Sequence, residues 1–152
     1  MKKILPFIAC CCILMASNGS RVMAQNGPSV NHIALYVYDL EKSADFYKNV
    51  MQLKVIPEPF HDGKHVWFRI GPHSQLHIIK GATAVTEHDI NTHLAYSVPV
   101  LKNFLTHLDQ QKIKYQSFKG EAKTITPRPD GVTQVYLQDP DNFWIEVNDD
   151  KF

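Results

Sequence analysis

Three histidines and one glutamate, His32, His77, His93 and Glu146, are the side chains whose types and placement could do chemistry together. Imidazole and carboxylate suit Zn, Ni, Fe, Co or Mn, and the residue types alone do not choose among these ions. The four fall at equivalent places in two related stretches. His32 and His93 open the two halves, and His77 and Glu146 lie in the last strand-like run of each. A carboxylate buried without a partner is costly, and a metal ion removes that cost. The other histidines read differently. His61, His73 and His88 fall in loops, His107 on a helix and His65 on a strand, each as a surface or hydrogen-bonded residue.

The elements that must position these side chains follow from a weak internal repeat. Asn31-His32-Ile33-Ala34-Leu35-Tyr36-Val37 aligns with Thr92-His93-Leu94-Ala95-Tyr96-Ser97-Val98. An amphipathic helical pattern follows each. The first runs from Leu40 to Met51 with Asp39 as N-cap; the second follows Pro99, with Leu101, Phe104, Leu105 and Leu108 on one face. Short strand-like runs come next: Lys54–Ile56, His65–Ile70 and Gln75–Lys80, then Tyr115–Phe118, Val132–Leu137 and Phe143–Asn148. The turns His61-Asp62-Gly63-Lys64, Gly71-Pro72-His73-Ser74 and Asp139-Pro140-Asp141-Asn142 separate them. Each half therefore reads strand, helix, strand, strand, strand, an α+β class with a duplicated module. The modules span about 30–81 and 92–148. Strand side chains alternate between faces. Ile33, Leu35 and Val37 face the helices, which puts His32 on the opposite face. The same parity puts His77, His93 and Glu146 there too.

The 152 residues, 44% of them hydrophobic, suffice for one domain with its own core. Residues 1–24 read as a secretory signal rather than as structure. Lys2 and Lys3 precede an apolar run, Leu5–Ala16, too short to span a bilayer, and Val22-Met23-Ala24 is a small-residue cleavage site. Lipid anchoring through Cys10, Cys11 or Cys12 is disfavoured by the short run before Cys10 and the poor recognition sequence Phe7-Ile8-Ala9. The domain at 25–152 is then an exported, periplasmic or secreted protein without cysteine, and no further segment is apolar enough for stable membrane insertion. Lys2, Lys3 and Arg21 lie in the leader; setting them aside leaves 13 basic against 15 acidic residues. That balance offers nothing to attract nucleic acid.

Val30-Asn31-His32-Ile33-Ala34-Leu35 with Asp45-Phe46-Tyr47, then His93-Leu94-Ala95-Tyr96, then Asp139-Pro140-Asp141-Asn142-Phe143-Trp144-Ile145-Glu146, together resemble the vicinal oxygen chelate superfamily. Its members include glyoxalase I, methylmalonyl-CoA epimerase, extradiol dioxygenases, and fosfomycin- and bleomycin-resistance proteins. The resemblance covers Val30 to Asn148 and implies two βαβββ modules forming a cup-shaped mixed sheet around a divalent metal ion. It carries the ligand positions over to His32, His77, His93 and Glu146. Glyoxalase I-like members have a carboxylate where this chain has His77. Dioxygenases and fosfomycin transferases use three ligands, equivalent to His32, His93 and Glu146.

Parity then places Trp67, Arg69, Gln134, Tyr136 and Trp144 on the cup face. Arg69 is a candidate for a substrate carboxylate or phosphonate; Trp67, Tyr136 and Trp144 are candidate aromatic walls. The expected activity is that of a metal-dependent lyase or isomerase, acting on a small oxygen-chelating substrate through an enediolate-type intermediate. Glu146 is the leading general base and His77 the second. The alternatives are an Fe(II)-dependent extradiol-type dioxygenase and a small-molecule binding or resistance protein. Such modules often dimerise, and a cup can form within one chain or between the two chains of a homodimer.

Overall fold

Alternation of Ile33, Leu35 and Val37 with His32, Ala34 and Tyr36 builds an outer strand with one buried and one exposed face. This is β1 (His32–Val37) in the computed structural model, which describes residues 27–151. The leader at 1–24 lies outside the described residues. Asp39 caps the following helix as expected, its Oδ1 accepting from the Lys42 N–H at 3.1 Å. That helix is regular over Leu40–Asp45 (α1) and then widens into a π turn at Phe46–Val50, where the Met51 N–H donates to the Phe46 carbonyl at 3.1 Å. The widened turn keeps Phe46, Tyr47, Val50 and Met51 all in the core.

The remaining elements are β2 (Lys54–Ile56), β3 (His65–Arg69), β4 (Gln75–Lys80), β5 (His93–Ser97), α2 (Leu101–Gln110), β6 (Thr126–Pro127), β7 (Thr133–Gln138) and β8 (Trp144–Asn148). They form two four-stranded mixed sheets of identical topology, β1-β4-β3-β2 and β5-β8-β7-β6. In each, the first and last strands of the half run parallel: Ala34 sits opposite His77 and Ala95 opposite Glu146. The expected βαβββ duplication is thus the architecture of the molecule. One element departs from expectation. Tyr115–Phe118 is not a strand; only Gln116 bridges to Tyr136 and Ala122, and the edge of β7 is completed by Thr126–Pro127. The chain there turns back on itself, the Lys123 N–H donating to the Tyr115 carbonyl and the Ser117 N–H to the Glu121 carbonyl, both at 2.9 Å.

No strand pairing joins the two sheets among the described residues. A shared core does, in which Phe68, Leu76 and Ile78 of the first half and Leu108, Val135 and Ile145 of the second belong to one cluster. The Asp139–Asn142 turn adds a polar clasp. Asp139 Oδ1 accepts from the Asp141 and Phe143 N–H groups at 2.9 Å each and shapes the turn, while its Oδ2 accepts from the Tyr47 hydroxyl at 2.8 Å. Asp141 reaches the first half as well, accepting from the Tyr38 N–H at 2.6 Å and the Ser43 hydroxyl at 2.8 Å.

Burial raises the Asp139 carboxyl above the usual carboxylate range; the Tyr47 hydroxyl and the Phe143 and Asp141 N–H groups pull the other way, and the nearby Asp141 charge pushes it up further. An unfolded aspartate titrates near about 3.9. Between that value and the higher native one, the folded state binds more protons. The contribution of Asp139 to stability is therefore greatest below the window and is lost as pH rises through it. The unfolding free energy of wild type minus that of Asp139→Asn, from urea titrations between about pH 3 and pH 7, should decline with rising pH. A difference that rises over this range contradicts the assignment.

Candidate functional site

Parallel pairing of β5 with β8 brings two of the expected ligands together. The Nε2 atom of His93 lies 3.3 Å from Oε2 of Glu146. His93 Nδ1 donates to the Ile90 carbonyl at 2.7 Å, and a carbonyl can only accept, so the proton of a neutral ring sits on Nδ1. Nε2 then presents a lone pair to a carboxylate oxygen. Two electron-rich atoms held face to face call for a cation between them, either a proton on the ring or a metal ion. Glu146 is buried and oriented from both sides: the Tyr136 hydroxyl donates to Oε2 and Asn148 Nδ2 to Oε1, each at 2.7 Å. Burial, then Glu146, pushes the Tyr136 phenol well up, so it remains a protonated donor. Gln134 Nε2 donates in turn to the Tyr136 oxygen at 2.6 Å, and the Ser97 hydroxyl to Asn148 at 3.1 Å. The donor set and its tautomer fit a divalent ion at His93 and Glu146.

On the first sheet, His32 and His77 stack face to face, with ring centroids 4.4 Å apart and planes 9° from parallel. Trp67, opposite His77 on β3, covers the other face of His77 at 3.8 Å and 2°. His77 is the middle layer of a three-ring stack. Burial, with the neighbouring His32 and His65, lowers its pKa and favours the neutral ring. Its Nε2 donates to Gln75 Oε1 at 2.9 Å, leaving Nδ1 as the free lone pair. His32 donates from Nδ1 to Asn31 Oδ1 at 2.8 Å and keeps Nε2 free.

The four expected ligands thus appear as two pairs on two sheets. Among the described residues no three His, Cys, Asp or Glu side chains come together around one ion. The substrate candidates are similarly divided. Trp67 belongs to the histidine stack, and its buried Nε1 has no hydrogen-bond partner among the described residues. Arg69 is exposed and donates to the Pro72 carbonyl of its own turn at 3.1 Å. Trp144 lies opposite His93 and donates from Nε1 to the His88 carbonyl at 2.9 Å. Tyr136 acts through its hydroxyl on Glu146 rather than as an aromatic wall alone. Asn148 and Ser97, absent from the expected site, share its face by strand parity and could be found by that signal.

Residues 30–150 match the glyoxalase-like domain family, and the chain belongs to that family, within the vicinal oxygen chelate superfamily. An uncharacterised protein of Bacillus subtilis is 23% identical over 122 residues, covering 77% of this chain and 94% of that one. A putative glyoxalase family protein from Bacillus anthracis superimposes with a TM-score of 0.66 at 22% identity, covering 85% of this chain and all of that one. A genomically encoded fosfomycin resistance protein from Listeria monocytogenes gives 0.62 at 21% identity, covering 80% and 92%. At such identities the solved structures establish the fold alone.

Proposed function

We propose that this protein is a metal-dependent enzyme, a lyase or isomerase acting on a small substrate with two chelating oxygens. The observation that carries the reading is the facing of His93 Nε2 and Glu146 Oε2, with the ring tautomer locked by Ile90 and the carboxylate held by Tyr136 and Asn148. His93 and Glu146, joined by His32, would hold the ion, with His77 as a fourth donor. The ion would supply Lewis-acid polarisation of the substrate oxygens. On leaving the ligand set Glu146 takes a proton from the substrate carbon, and the Asn148 donor on Oε1 keeps the carboxylate aimed while it does so. Neutral His77 is the second candidate for that role.

Assembly of the full set falls to a homodimer. Both β1 and β5 are outer strands of their sheets, so edge pairing with a second copy would set one chain's His32–His77 sheet beside the other's His93–Glu146 sheet. Untagged protein incubated with Ni(II), Zn(II) or Fe(II) and analysed for bound metal should retain an ion that the double variant His93→Ala, Glu146→Ala does not. Equal metal content in the two would sink the proposal. Mixing His32→Ala with Glu146→Ala protein after mild unfolding should restore binding that neither shows alone. Absence of restoration would place the meeting of the two pairs within one chain.

A second reading rests on His77. Covered on both faces and bonded through Nε2, it is the donor least free to turn, leaving His32, His93 and Glu146 as two imidazoles and one carboxylate. That set suits non-haem Fe(II) in a ring-opening dioxygenase. Turnover that consumes oxygen and stops under anaerobic conditions selects this reading; anaerobic turnover with Ni, Zn or Co selects the first.

A further inference from the structure

A half-open cavity of about 830 Å³ lies between the end of α2, the turn after Tyr115 and the C-terminal end of β7. Its size is that of a small-molecule pocket, typically about 300–1,000 Å³. His32, His77, His93 and Glu146 are not among its walls. Ile113, Leu137, Phe46, Tyr115, Tyr136 and Trp144 make a largely apolar, aromatic lining. Lys112, Lys114 and Lys123 stand around it, with Asp109 and Asp139 as its only carboxylates among the described residues.

Both carboxylates are already engaged. Asp109 pairs with Lys123 at 2.7 Å, and the Asp139 oxygens accept from Tyr47, Asp141 and Phe143. Lys112 and Lys114 make no ion pair among the described residues. They are not needed as helix caps either. The Gln111, Lys112 and Ile113 N–H groups close the last turn of α2 onto the His107, Asp109 and Leu108 carbonyls. Lys112 itself has φ 56°, a left-handed position where glycine is favoured, and yet carries a cation at the cavity edge. The cavity therefore joins ring-lined apolar walls to two uncommitted positive charges.

We propose that this cavity, which borders the His93–Glu146 site through Tyr136 and Trp144 but holds none of the four candidate ligands, is a second ligand site that takes a small organic anion with a ring-sized apolar body. The carboxylate or similar group lies by Lys112 and Lys114 and the ring against Tyr115 and Trp144. The charge complementarity favours such a ligand over a neutral one, and more so at low salt.

The test uses untagged full-length protein in EDTA, with 2-naphthoate and its uncharged counterpart 2-naphthamide as probes. Calorimetry gives affinity, and the indole N–H resonance of Trp144, assigned against Trp67→Phe, reports location. Naphthoate should bind once per chain, shift the Trp144 resonance and exceed naphthamide by about tenfold or more. Lys112→Glu with Lys114→Glu should bring naphthoate down to the level of the amide. Ala122→Trp, a filling change at an exposed wall residue, should abolish both while leaving the melting temperature near wild type. Equal affinity for the two probes, unaltered binding by Ala122→Trp, or binding that appears only when a divalent ion is added would each overturn the proposal. So would naphthoate affinity that weakens as protein concentration rises, which would put a second copy in the cavity.

Discussion

Glu146→Gln, reloaded with divalent metal to confirmed occupancy, should slow exchange of the carbon-bound hydrogens of hydroxyacetone with deuterated water about 10²–10⁴-fold relative to wild type, the usual cost of losing a positioned general base. The substitution conserves shape. A glutamine oxygen still accepts from one of the two donors, Tyr136 or Asn148, that hold Glu146 now. What it cannot do is take a proton, so substrate affinity should change far less than the exchange rate. His77→Gln should keep part of the activity, because His32, His93 and Glu146 remain to hold the ion. Proton NMR of the probe follows the exchange directly. Normal exchange by the metal-loaded glutamine variant would show that the base is another group, and obligatory oxygen consumption alongside it would favour the dioxygenase reading.

The strands and their faces were legible because side-chain alternation is a local property. His32, His77, His93 and Glu146 could be assigned to one face of their strands without knowing the sheet order, and the repeat supplied which strands are equivalent. What could not be read depends on pairing. The role of Tyr136 follows from its register opposite Glu146, which no local pattern encodes. Tyr115 and Ser117 are both buried, an alternation that resembles a strand. Tyr115 is buried instead in the shared core and Ser117 in a tight local turn closed by the Gly120 N–H on the Ser117 carbonyl, and only Gln116 reaches the sheet. Asp139-Pro140-Asp141-Asn142 read as a turn, and it is one. Its reach to Tyr47 and Ser43, across 92 and 98 residues of chain, belongs to the tertiary structure.

That reach carries a large stability effect for a single polar side chain. Asp141→Ala should destabilise the protein by about 2–4 kcal/mol, since hydrogen bonds to a charged group are worth about 1.5–3 kcal/mol and buried donors left unpaired add their own penalty. The two donors are the Tyr38 N–H and the Ser43 hydroxyl, and Ser43 and Asp141 are both buried, so water is poorly placed to replace the carboxylate. Asp141→Asn should cost less, about 1 kcal/mol: its oxygen keeps one donor, and the Ser43 hydroxyl can rotate to accept from the new amide. Because no strand pairing joins the two sheets among the described residues, Asp141 also helps set how the His32–His77 face lies relative to the rest of its own chain. Asp141→Ala should therefore weaken metal retention although it touches none of the four candidate ligands. Urea titration measures the stability loss, and elemental analysis measures the metal. A loss below about 0.5 kcal/mol, the range of ordinary surface substitutions, would show that the turn adds nothing to the shared core.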